Sequence, residues 1–115
     1  MDLQLVYKQL NGNYNEVMSR LMKEERVFKY LKKFTANSDY ADFCRGYEAH
    51  DWELAFRAVH SIKGMALNLA ITELAEVSSE LCETMREGEP QVDITKLVAD
   101  FKVEYDLVMG VLNTL

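Results

Sequence analysis

The sequence predicts an all-α protein, an antiparallel up-and-down four-helix bundle with additional short N-terminal helices. Three observations predict it. No stretch alternates apolar and polar residues with a period of two, whereas apolar residues recur at three- and four-residue spacing along most of the chain. The breaks between these runs are short, and short connections make successive helices antiparallel neighbours. At 115 residues and 49% apolar content the chain is long enough for one core, so residues 1–115 read as a single domain. Within it, residues 1–22 would form the N-terminal helices and 23–114 the bundle.

In order, Leu3, Val6, Tyr7 and Leu10 keep a helical spacing over residues 2–10, until Asn11-Gly12 breaks it. Asn13 is suited to cap a further turn or two carrying Val17, Met18 and Leu21. A stronger helix is expected from Lys23 to Ala36, with Val27, Phe28, Leu31 and Phe34 inward. Its Lys23, Lys29, Lys32 and Lys33, beside Glu24 and Glu25, make an ordinary solvated face. Asn37-Ser38-Asp39 breaks the chain with good capping residues. Tyr40, Phe43, Cys44 and Tyr47 restart the spacing in a helix that ends near His50, a linker residue.

Asp51 to Ala70 is the central helix. At about 100° per residue it separates into two faces. Leu54, Ala55, Ala58, Val59, Ile62, Met65, Ala66 and Leu69 fall on a core arc, and Glu53, Phe56, Arg57, His60, Lys63, Gly64, Leu67 and Asn68 lie opposite. Asp51 is its N-cap, and Glu53 puts negative charge in the first turn, where the helix dipole favours it. Beyond it Ile71-Thr72 makes a turn, with Thr72 as the cap of a helix whose inner stripe is Leu74, Val77, Ser78, Leu81 and Met85. Arg86, Gly88 and Pro90 end that helix. Asp93 caps the last one, with Ile94, Leu97, Phe101, Tyr105, Val108 and Leu112 on one side. Met18, Met22, Met65, Met85 and Met109 serve as core or rim filling, and Trp52 packs under the preceding loop.

Several function classes are excluded by composition. A net charge of −6 argues against nucleic acid and anionic membranes as primary partners. No run approaches the ~20 apolar residues of a membrane span, and no signal-peptide pattern opens the chain, so a soluble cytoplasmic protein is expected. Met1 favours a separate protein over an excised domain. Cys44 and Cys82 form no metal-ligand pair and read as reduced core thiols. Glycines 12, 46, 64, 88 and 110 are scattered, so there is no phosphate-cradling loop for ATP and the protein should not phosphorylate itself.

The wet face of the central helix carries the chemistry. His60 sits at its middle, with Lys63 three residues on and Gly64 four residues on. A mid-helix glycine costs about 1 kcal/mol relative to alanine, yet the apolar arc continues through it, so the helix does not stop there. The missing side chain leaves space over the imidazole, and Lys63 supplies a mobile point charge suited to a phosphate. Histidine, with an ordinary pKa of about 6.5, is a fair nucleophile at neutral pH. Together these residues suggest a side chain that carries a phosphoryl group. Phosphoryl transfer normally also wants Mg²⁺ held by carboxylates, and no acidic cluster converges on His60, so that ion should belong to the partner. No cofactor is assigned to the chain itself.

The run His60-Ser61-Ile62-Lys63-Gly64-Met65-Ala66-Leu67-Asn68-Leu69 resembles the signature of histidine-containing phosphotransfer (HPt) domains, His-x-[Leu/Ile]-Lys-Gly-x-Ala-x-x-[Leu/Ile]-Gly. Asp51-Trp52-Glu53-Leu54 is similar to the start of that family's active-site helix, and Leu74-Ala75-Glu76 to its next helix. The similarity runs in outline from about Leu21 to the C-terminus. It implies that His60 is the phosphorylated residue, that Lys63 stabilises charge on the phosphoryl oxygens, and that Gly64 keeps access open. It also implies a stoichiometric carrier, not an enzyme. The group would come from an aspartyl phosphate on a receiver domain and pass to another, the partners being receiver domains of hybrid sensor kinases and response regulators. Phe56, Arg57, Leu67 and Asn68 around His60 are the candidate docking contacts, with Met18 or its neighbours completing the surface.

Three departures from the family pattern stand out. Ala70 occupies the position of a usual glycine, Met65 and Leu67 are bulkier than the common small residues, and Cys82 stands where many members have a glutamine near the histidine. The first two bear on partner fit and the third on hydrogen bonding to the imidazole. Two other readings remain. A histidine-kinase dimerisation and phosphoacceptor domain usually has an acidic residue directly after the histidine and a proline soon after, where this chain has Ser61 and no proline; it would be a constitutive dimer, whereas an HPt domain is expected to be a monomer. An inactive HPt-like helical adaptor would make His60 incidental.

Overall fold

The computed structural model describes residues 2–115. Met1, on which the expectation of a separate protein rested, lies outside the described residues. Helices account for all the regular structure among these residues: α1 (Leu3–Gln9), α2 (Tyr14–Leu21), α3 (Glu24–Thr35), α4 (Asp39–Ala49), α5 (Trp52–Asn68), α6 (Thr72–Thr84) and α7 (Thr95–Leu112). None is long and apolar enough to cross a membrane.

Local chemistry sets most of the boundaries. The carboxylate of Asp2 accepts from the Gln4 amide, the Asn13 side chain from the Glu16 amide, and the Asp51 carboxylate from the Leu54 amide at 3.2 Å. Each satisfies a donor that the first turn of a helix leaves free. His50 ends α4 in the left-handed conformation, and its ring stacks on Trp52 at 5.4 Å, which is how the tryptophan covers that connection. Two expected caps differ. Thr72 is the first residue inside α6, behind Ile71 at the cap position, and its hydroxyl reaches back to the Ala70 carbonyl instead. Asp93 caps from one residue further out than expected, its carboxylate accepting from both the amide and the hydroxyl of Thr95.

α4, α5, α6 and α7 form the four-helix bundle, and cross-helix contacts fix their directions. The Ser61 hydroxyl, nine residues into α5, donates to the Asp39 carboxylate at the start of α4 (2.7 Å). Tyr40 stacks on Tyr105 and Phe43 meets Phe101 edge-on, so numbers rise along α4 as they fall along α7. α3 packs on α7, while α1 and α2 lie across one end of the bundle. The molecule is 42 Å long and about half as wide.

The core is one cluster running from α1 to α7. From α5 it takes Ala55, Ala58, Val59, Ile62, Ala66 and Leu69; full burial of a Val or Ile side chain contributes about 1.5–3 kcal/mol. Leu54 and Met65, expected on the core arc, sit at its edge and are only half-buried, as is Phe28 of α3. In α6, Ala75 and Cys82 are buried and Val77 is at the rim; in α7, Val98 takes the buried place expected of Leu97. These are one-position rotations of the helical stripe, the size of error that a periodicity of 3.6 allows. Ser78 is buried with its hydroxyl unpaired among the described residues, and nothing in the structure explains it.

Candidate functional site

α5 presents its polar face along the side of the bundle. His60, Arg57, Gly64, Leu67 and Asn68 are exposed there, while Lys63 and Phe56 are half-buried. Phe56 lies one turn before His60, and the two rings stack at 5.7 Å between centroids and 20° between planes. Phe56 is therefore a platform for the imidazole, not a free contact on the surface. The Arg86 guanidinium, just past the end of α6, lies over the same ring, 5.5 Å from the Phe56 centroid, and forks onto the Glu83 carboxylate at 3.1 Å.

One turn after His60, a Cβ placed on Gly64 would meet nothing within 4 Å. The glycine answers neither to backbone strain nor to close packing. Lys63 forms no ion pair among the described residues. It lines a groove of about 360 Å³ between α2, α5 and α6 together with Glu16, Leu67, Ala75, Glu76 and Glu80.

Behind His60 stands α6. The sulfur of Cys82, fully buried, is 3.9 Å from His60 Nδ1. Burial pushes the Cys82 thiol above its ordinary value of 9.0, against the pull of Lys63 and Arg86. The sequence thus brings Cys82 to the imidazole as the motif comparison suggested. It gave no such hint for Arg86, which looked like a helix-end signal, or for Glu83. Arg86 lies just past the end of α6, in the turn after Met85, so helical spacing gave no signal for it.

The end of α5 is built with an alanine where a glycine is the usual solution. Ala70 adopts φ 54°, and the Ile71 amide donates to Ala66 O and the Ala70 amide to Leu67 O, the paired bonds of a left-handed helix terminus. The N-terminal helices hold this corner. Tyr7 donates its hydroxyl to Leu69 O at 2.7 Å, the Asn13 amide donates to Ala70 O at 2.8 Å, and Arg20 donates to Leu67 O. Among the described residues no three of His, Cys, Asp or Glu converge as a metal site.

The family model of the Hpt domain matches residues 28–108. The chain belongs to the Hpt domain family. Hpt domains are phosphocarrier modules that work with receiver domains and kinases in two-component phosphorelays, and they are not classical enzymes. The helical bundle is the fold expected of the family. No curated protein and no solved structure matched the chain. Residues 2–27, which contain α1, α2 and the start of α3, lie outside the matched span.

Proposed function

We propose that His60 of this Hpt domain accepts a phosphoryl group from an aspartyl phosphate on a receiver domain and passes it to a second receiver domain. One observation carries the assignment: His60 is an exposed histidine in the middle of α5 with open space over Gly64, whereas His50, the other histidine, is a helix end stacked on Trp52. The imidazole attacks phosphorus in line as the carboxylate leaves. Lys63, free of ion pairs among the described residues and one turn along, neutralises charge gathering on the equatorial oxygens. Mg²⁺ is assigned to the receiver, which brings its own acyl phosphate. Phe56 holds the ring, and Arg57, Leu67 and Asn68 are the exposed contacts for the incoming domain, with Leu67 48% exposed beside the groove. The whole of 1–115 is taken as one working unit, a cytoplasmic monomer.

Incubation with a phosphorylated receiver and Mg²⁺ tests this. Acid-labile, base-stable label on the wild type, absent from a fully helical His60→Gln protein, is the expected result. Label that survives His60→Gln would remove His60 from the reaction, and no label from a panel of receivers would favour an adaptor without chemistry. Sedimentation as a dimer would revive the kinase dimerisation reading.

A further inference from the structure

A cleft of about 520 Å³ lies between α2, α3 and the end of α5. Small organic ligands occupy sites of about 300–1,000 Å³, so the space is of the right size for one. Phe34 and Leu69, both buried, and Leu21 and Met65, both half-buried, give it an apolar floor. Its exposed lining is polar and cationic, made of Arg20, Tyr30, Lys33 and Asn68, and no carboxylate lines it among the described residues. α2 supplies the wall formed by Arg20 and Leu21, from the segment outside the family match.

The two cations differ in what they are free to do. Arg20 donates to Leu67 O and pairs with Glu16 at 3.4 Å, so its guanidinium is engaged. Lys33 forms no ion pair among the described residues, and its ammonium stands over the Tyr30 ring, 5.3 Å from the centroid. The surroundings favour an anion as well. Six of the 13 Lys and Arg residues fall between 20 and 33 beside only Glu24 and Glu25, although the whole chain carries −6.

We infer that this cleft binds a small organic monocarboxylate, with its apolar body on Phe34, Met65 and Leu69 and its carboxylate held by Lys33 beside Asn68. Each half of the ligand is selected by a different part of the lining. Every methylene moved from water onto the floor tightens binding by up to about 4-fold. One uncommitted ammonium matches one negative charge. A phosphate would call for further cations, and Arg20 is already holding Leu67 O and Glu16. Of the docking contacts proposed above only Asn68 lines the cleft, and His60 and Lys63 do not, so the inference stands apart from the phosphocarrier reading.

Decanoate is the probe, added to the full chain and followed in methyl and amide NMR spectra. Saturable shifts are expected at the methyls of Leu21, Met65 and Leu69 and at the Asn68 side-chain amide, with a Kd of about 1 mM or tighter. Octanoate, two methylenes shorter, should bind about 4- to 15-fold more weakly. Lys33→Gln alters an exposed side chain and should leave the helical signal intact while weakening octanoate and decanoate about 2- to 5-fold. The same variant should leave the binding of octanol, which lacks the charge, unchanged. Met65→Gln, at a half-buried position, should weaken the acids and the alcohol alike. Shifts that never saturate or that scatter over the surface would overturn the inference, as would unchanged decanoate affinity in either variant. The same shifts on raising the protein concentration without probe would overturn it too, assigning the cleft to a second copy of the chain.

Discussion

The same substitution, glycine to alanine, is predicted to act with opposite sign at two positions of this chain. At Gly64 the added methyl meets nothing within 4 Å, in the middle of the 17-residue α5. There alanine only reduces the freedom of the unfolded chain and improves helix propensity, a gain of about 0.5–1 kcal/mol. At Gly12 the methyl would stand 2.7 Å from Ala70 O and 2.9 Å from Tyr7 Cδ2. The oxygen is backbone and cannot swing away, and it is the acceptor of the Asn13 amide. Overpacking of this kind costs about 1–3 kcal/mol, and moving Ala70 also disturbs the Tyr7–Leu69 hydrogen bond, worth about another 1 kcal/mol. Gly12→Ala should therefore destabilise by roughly 2–4 kcal/mol. Near 4 °C per kcal/mol for a chain of this length, Gly64→Ala raises Tm by about 2–4 °C and Gly12→Ala lowers it by about 8–16 °C. Urea unfolding followed by helical ellipticity, with the slope m unchanged, measures both. A neutral Gly12→Ala, or a destabilising Gly64→Ala, would refute the account of what each glycine does.

Gly64→Leu fills the space beside His60 and should abolish labelling from a phosphorylated receiver while leaving the protein folded; normal transfer would remove the access argument. Lys63→Ala should slow transfer roughly tenfold with little change in stability, since the ammonium makes no ion pair among the described residues, and an unaltered rate would take Lys63 out of the mechanism. Alkali should unfold the domain early. Burial holds the Tyr7 and Tyr105 phenols and the Cys82 thiol above their ordinary values and pushes Tyr40 up to about 12, so the unfolded chain releases these protons first. Their stabilisation is complete below pH ~9 and is lost as pH rises toward ~12, which a urea midpoint constant between pH 9 and 11 would contradict.

Most of the fold was legible because helical periodicity and capping residues are local signals. Asn13 and Asp51 cap where their side chains say they should, and the buried stripes of α3 and α5 follow the apolar spacing. Errors arose where two adjacent apolar residues compete for one inward position, as Leu97 and Val98 do; only the packed partner decides between them. The wet face of α5 was legible for the same reason as its core face, except that Phe56 and Lys63 are half-buried. Phe56 meets the guanidinium of Arg86, just past the end of α6, a contact between residues 30 apart that no periodicity reports. Cys82 could be placed beside His60 only through the motif, since proximity across two helices is a tertiary fact.

Ala70 and the N-terminal helices are best understood as one arrangement. A left-handed alanine costs about 1–2 kcal/mol more than the glycine usual at that position. Here its methyl is buried, at 2% exposure, and about 0.8 kcal/mol of apolar burial offsets part of that cost. Three carbonyls at the end of α5, those of Leu67, Leu69 and Ala70, accept from Arg20, Tyr7 and Asn13, all on the segment outside the family match. Leu67 O also accepts from the Ala70 amide and Ala70 O from the Thr72 hydroxyl, so among the described residues Leu69 O depends most on its N-terminal partner, Tyr7. A buried carbonyl without a partner costs about 1–3 kcal/mol. Residues 2–22 therefore add hydrogen-bond partners to the carbonyls of this corner. The departure from the glycine pattern is thus accounted for at the end of α5, nearly three turns from His60.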